Sequence, residues 1–206
     1  MYRALIPVKK LEEVKSRLAP HLSQTARATL MLDMLHHVIE ALRASEAFER
    51  ISVVSPDARV LEQARHWGAW PRREETRGHN PALHAAALHD LADGVSGLLT
   101  ISADLPLLHP EDIRGLLASA CEHDLVLAPS REGTGTNALF AQPPLVVPYR
   151  FGLDSLRQHR QEAERAHLRH TLYSSIGLSL DIDTIEDLEC SRDLAEMCQS
   201  GHAVYL

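Results

Sequence analysis

Cysteine is scarce in this 206-residue chain: Cys121, Cys190 and Cys198 are odd in number and share no zinc-ligand spacing. That argues against a disulfide scaffold and for a reducing compartment, so a cytoplasmic location is expected. No apolar run approaches the roughly 18 residues of a membrane span. The opening MYRALIPVKK is too short and charged too early to read as a signal peptide. An excess of positive charge is also missing. A net charge of −7, from 21 Lys and Arg against 28 Asp and Glu, disfavours nucleic acid as a partner. Familiar catalytic signatures are absent: no G-x-S-x-G, no H-E-x-x-H among the 13 histidines, and no Gly-Lys-Ser/Thr phosphate loop. Serine-hydrolase, zinc and Walker-type readings therefore have no motif behind them.

What is present is alternation. Strands are predicted at Tyr2 to Val8, RISVVSP, GLLTISAD, DLVLAPS, ALFA and, late in the chain, IGLSLDID. Helices are predicted between them: from the Ser23 cap to Ala44, over 58–66, in PALHAAALHDLA, in PEDIRGLLASACEH, after FGLDS, and in TIEDLECSRDLAEMC. GAWPRREETRGHNP shows no clear periodicity, and Trp67 and Trp70 within or beside it are expected to pack. Continuous apolar strands suit a sheet buried on both faces. With no internal repeat or linker, one α/β domain over 1–206 with a mostly parallel sheet is expected. Ligands of such sheets sit beyond the carboxyl ends of the strands.

Three acids fall at such ends. LLTISADLPLL places Asp104 in an apolar setting that Pro106 must terminate, where a bare carboxylate needs a partner. LSLDID places Asp181 and Asp183 two apart; on a strand both would face one point. Two carboxylates 4 Å apart repel by roughly 4 kcal/mol at an intermediate dielectric, unless a cation lies between them. Three hard oxygen donors suit Mg²⁺, although a turn acid at 104 and an exposed edge strand at 181–183 explain the spacing equally well. Thr184 with Asp187, and Glu111 with Asp112 after Pro110, read as helix-start residues.

Three segments offer anion contacts. REGTGTN sets Gly133 and Gly135 among hydroxyls, including Thr136, as an anion nest or a plain hairpin turn. RFGLDS brings Gly152 and Ser155 to a helix start. PVKKLEEVKSRLAP carries Lys9, Lys15 and Arg17 just past the first strand, a basic cluster for a polyphosphate or a solvated loop.

These segments, in this order, resemble the CofC or FbiD guanylyltransferases of deazaflavin-coenzyme biosynthesis: IPVKKLEEVKSRLAP, ISADLPLL, APSREGTGTNALF, RFGLDSLRQH and LDIDTIEDL. The likeness spans nearly the whole chain, departing at Ile185, where the family would carry Pro, and at His79, where it would carry Leu. It implies a three-layer α/β/α nucleotidyltransferase fold of the GT-A/MobA-like kind. It also implies transfer of GMP from GTP to the phosphate of phosphoenolpyruvate, 2-phospho-L-lactate or 3-phospho-D-glycerate, with release of pyrophosphate. By the same likeness Asp104, Asp181 and Asp183 would hold Mg²⁺, and Lys9, Lys15 and Arg17 would meet the GTP phosphates, Lys15 as a catalytic group. Asn80 would help place the nucleoside, and Thr136, Gly152 and Ser155 would bind the phospho-acid. A homodimer is consistent with it. Rival readings are a related nucleotidyltransferase acting on a molybdopterin or sugar phosphate, and a non-catalytic nucleotide-binding regulatory domain. The first is disfavoured because PVKKLEEVKSRLAP contains no glycine.

Overall fold

The computed structural model describes residues 1–199. Its strands are β1 (Tyr2–Pro7), β2 (Arg50–Ser55), β3 (Trp70–Arg73), β4 (Gly97–Ile101), β5 (Leu125–Pro129), β6 (Thr136–Ala141) and β7 (His170–Leu172). Its helices are α1 (Gln24–Ala44), α2 (Ala58–His66), α3 (His79–Ala92), α4 (Pro110–Ser119), α5 (Ser155–Arg165), α6 (Ile176–Ser179) and α7 (Ile185–Gln199). Residues 200–206 of the expected domain, and the side chain of Cys198, lie outside what is described.

The strands form one sheet in the order β3-β2-β1-β4-β6-β5-β7. All neighbours are parallel except β6, which runs against both β4 and β5. The cause is local. Only the Ser130–Gly135 turn joins β5 to β6, too short for a crossover, so the chain must return antiparallel. Alternation along β1 shows why the sheet is buried twice. Ala4 and Ile6 face a core shared with α1, α2 and α4, and Leu5 faces a second core with α3 and α5. Three layers result, helix, sheet and helix, as the resemblance implied. Helix starts follow their caps: Ser23 Oγ accepts the Ala26 N–H at 3.2 Å, and the Asp112 carboxylate accepts the His109 N–H at 2.8 Å.

Three expectations need correcting. The aperiodic stretch contains β3, an edge strand whose residues are part-exposed and which tolerates Pro71 because one side pairs with nothing. Trp70 there is 56% exposed and lies under the Arg50 guanidinium, not in a core. IGLSLDID is not a strand. Ser175 Oγ accepts the Leu178 N–H at 3.3 Å and starts the short α6, while the edge beside β5 is taken by β7. Asp181 and Asp183 therefore sit on a loop between α6 and α7.

Candidate active site

The site forms at the carboxyl ends of β1 and β4, in a cleft of about 1020 Å³. Asp104 follows β4 by three residues, on a segment fixed to β6 by the Ser102 N–H bonded to Asn137 O at 2.8 Å. The Ile182 N–H donates to Asp104 O at 3.2 Å and lays the 181–183 loop alongside. Both carboxylates of this loop reach the Asp104 side chain, so the convergence expected of a strand is present without one. Oxygens of Asp104, Asp181 and Asp183 lie within 4.8 Å of one another, the one group of three such side chains among the described residues that could hold a metal ion. Thr184 and Asp187 cap the following helix as expected: the Asp187 carboxylate accepts the Thr184 N–H at 2.8 Å.

Charge in this cluster is balanced from the basic loop. Lys15 Nζ donates to Asp104 and, at 3.2 Å, to Asp183; Arg17 reaches Asp183 at 3.3 Å. The Lys15 side chain is only 4% exposed. Burial works to lower its pKa, but Asp104 and Asp183 outweigh burial and hold it raised, so the ammonium is kept. Lys15 also adopts left-handed backbone (φ 51°), an uncommon conformation for a side chain of this kind, which starts the short 3₁₀ turn Ser16–Leu18 and turns the amine inward. Among the described residues no such cation meets Asp181. Burial, with Asp104 and Asp183 nearby, pushes its carboxyl up to about 6, against a 3.0 Å hydrogen bond from Asn137 Nδ2. Three carboxylates with one held reluctantly charged fit a divalent cation with oxygen ligands. Asn137 was missed by motif reading. It closes REGTGTN, and its inward face on β6 was the available signal.

Across the cleft, Thr136 opens β6 and Ser155 opens α5, with Ser155 Oγ 3.3 Å from Thr136 Oγ1. Gly152 has φ +127°, a conformation that L side chains rarely adopt, and it turns the loop over the cleft. The amides in these loops are less available than expected. Gly133 N–H donates to Ser130 O at 2.8 Å and Gly135 N–H to Ser130 Oγ at 3.0 Å, so the loop is a closed turn and not an open nest. Ser155 and Leu156 N–H groups donate to Gly152 O and Thr134 O. At these positions the donors free to meet an anion are hydroxyls.

Lys9 stands on a wall shared with a second pocket of about 510 Å³, lined also by Pro7, Val54, Glu74, Gly78 and His79. Asn80, expected to help place the nucleoside, bonds the Phe151 backbone through its carboxamide. Its Oδ1 accepts the Phe151 N–H at 2.9 Å and its Nδ2 donates to Phe151 O at 3.0 Å, which clamps the loop leading to Gly152.

The family model for "Guanylyl transferase CofC like" proteins matches residues 2–192. A phosphoenolpyruvate guanylyltransferase of Rubrobacter xylanophilus is 41% identical over 186 residues, 90% of either chain. A 2-phospho-L-lactate guanylyltransferase of Methanocaldococcus jannaschii is 33% identical over 90% of this chain and 80% of its own. Among solved structures, a nucleotidyl transferase from Methanothermobacter thermautotrophicus superposes with a TM-score of 0.68 at 14% identity, covering 96% of this chain and 99% of its own, a likeness of fold. The five motifs, the acid cluster they build and these matches agree: the chain belongs to the CofC-like guanylyl transferase family.

Proposed function

We propose that this protein transfers GMP from GTP to the phosphate of a three-carbon phospho-acid. The observation that carries the reading is one cleft that sets Lys15 and three carboxylates against the hydroxyl pair Thr136 and Ser155. The acid's phosphate oxygen attacks the α-phosphorus of GTP. One P–O bond forms there, and the bond to the oxygen bridging the β-phosphorus breaks, its electron pair leaving with pyrophosphate. Since the nucleophile is already an anion, no general base is required, in keeping with a site that offers no reactive His or Cys motif.

Asp104, Asp181 and Asp183 hold Mg²⁺ in this reading; when bound, it neutralises charge on the α-phosphate and leaving pyrophosphate. Lys15, Arg17 and Lys9 attract the GTP phosphates, and the pocket beside Lys9 and His79 receives the nucleoside. Thr136, Ser155 and the Gly152 turn take the acid's phosphate. Holding both polyanions in line removes several kcal/mol of barrier by itself. The name of the Rubrobacter relative makes phosphoenolpyruvate the first acid to try, ahead of 2-phospho-L-lactate and 3-phospho-D-glycerate.

The test is pyrophosphate release with GTP, Mg²⁺ and each acid in turn, with ATP and CTP as controls. Release is expected only when GTP and one acid are both present. Asp181→Asn, nearly isosteric, is expected to lose at least about 100-fold in kcat, on the scale of removing a charge-stabilising group from a transition state. A folded protein that binds GTP but releases nothing with any acid would point to a regulatory nucleotide-binding domain instead.

A further inference from the structure

His159 is fully buried on α5, one turn beyond Ser155 and on the same face. Both ring nitrogens are engaged. Nε2 lies 2.9 Å from the backbone N–H of Arg150, which can only donate. The neutral imidazole must therefore carry its proton on Nδ1, which stands 3.1 Å from Thr136 Oγ1. Phe151 meets the ring edge-on with centroids 5.0 Å apart and fixes its plane.

A proton count shows what this achieves. Thr136 and Ser155 have two hydroxyl protons between them, and their oxygens are 3.3 Å apart. With Nδ1–H donating to Thr136, one proton joins the two oxygens and the other remains for a ligand. With the opposite tautomer, Thr136 would donate to Nδ1 and Ser155 to Thr136, and both protons would be consumed. A phosphate accepts hydrogen bonds and needs that remaining proton. An imidazole fixed as a donor makes the pair an anion site; one fixed as an acceptor would unmake it.

We propose that His159 is a positioning residue for the phospho-acid: by donating Nδ1–H to Thr136, it leaves the Thr136–Ser155 pair a hydroxyl proton for the incoming phosphate. This rests on the reading that Thr136 and Ser155 bind the acid.

The experiment is steady-state kinetics on the full chain, using the acid that supports pyrophosphate release, with Thr136→Val, His159→Phe, His159→Asn and His159→Gln. The Asn carboxamide can present an N–H near the Nδ1 position; that of Gln reaches toward the Nε2 position. Expected are a rise of about 10-fold or more in KM for the acid in His159→Phe, a KM for GTP within about twofold, and substantial recovery in His159→Asn. Thr136→Val is expected to match His159→Phe, and the double variant to add little to either, since both remove one coupled unit. Equal KM values for the acid in the Asn and Gln variants would overturn the proposal, and this comparison stands even if His159→Phe fails to fold. So would a Phe variant whose two KM values move together, which is the mark of a core residue alone. An unchanged KM for the acid in Thr136→Val would instead sink the acid-site reading itself.

Discussion

Burial, and to a lesser degree Arg150, bring the pKa of His159 down to about 4 against the opposing pull of Glu162. In the unfolded chain the same imidazole titrates near 6.5. The native state therefore binds fewer protons, and this group's contribution to stability is full above about pH 6.5 and is lost as pH falls toward 4. Two to three pKa units correspond to about 3 kcal/mol. Urea unfolding at pH 7.5 and 4.5 should accordingly show a fall in stability that is smaller by up to about that amount in His159→Phe, whatever the variant's absolute stability. An equal fall in both proteins would mean that the ring takes up its proton in the native state just as it does in the unfolded chain. Residue identity was well marked in the sequence for groups whose chemistry is unusual in their setting. Asp104 in an apolar run is one, and the paired acids of LDID are another. Partners that act through neighbours were not marked: Asn137 and His159 look ordinary until β6 and α5 bring them to Asp181 and Thr136.

Among the elements, the segment between β6 and α5 is the one whose shape matters most to the proposed acid subsite. It is held by a two-point clamp: both ends of the Asn80 carboxamide bond the Phe151 backbone, 71 residues away. Asn80→Ala removes both bonds and leaves part-buried peptide groups unpaired, a loss on the order of 1–3 kcal/mol local to the loop. The Phe151 amide should then exchange with deuterium faster, and KM for the acid should rise by about 5-fold or more. A change confined to KM for GTP, with Phe151 exchange unaltered, would show that Asn80 meets the nucleotide directly. Element types were legible wherever the local pattern was strong, as in the capped, helically spaced α1 and the continuous apolar run of β4. They failed where tertiary context decided. β3 is an exposed edge of four residues containing proline, and the 176–179 stretch is turned into α6 by the Ser175 cap.

For the molecule as a whole, the acid cluster and a buried ion-pair network lie at opposite ends of the strands. The carboxyl ends carry the acid cluster. At the amino end of β1, Arg3 (2.9 Å) and, from β3, Arg72 (2.8 Å) both bind Asp90 of α3, which is 0% exposed. Asp93 adds a contact to Arg3 at 2.6 Å. Removing the shared carboxylate takes a buried partner from both guanidiniums, leaving Arg3 with Asp93 and Glu49 and Arg72 with the Ala86 carbonyl, a change of the kind that costs about 3–5 kcal/mol. Asp90→Ala should therefore lower Tm by roughly 6–20 °C, given about 2–4 °C per kcal/mol for a domain of this size. Both KM values should stay within about twofold at a temperature where the variant is folded. A smaller thermal loss coupled to a large KM change would mean that strain spreads along the sheet to the cleft.

The sequence by itself determined the class of fold, through alternating buried strands and amphipathic helices, and the chemical character of the site, through three acids, two hydroxyls and a basic loop in a family-specific order. These are properties of residues and their near neighbours, and they survive being read in a line. Only the tertiary structure decided which groups meet. Lys15 is paired to Asp183 across 168 positions, the glycine amides of REGTGTN are turned inward onto Ser130, and the proton of His159 is fixed by a backbone amide on the segment beneath it. The physical reason is that a hydrogen bond or ion pair depends on a few ångströms of separation and on orientation. Those are set by how whole layers pack, and no local run of sequence contains them.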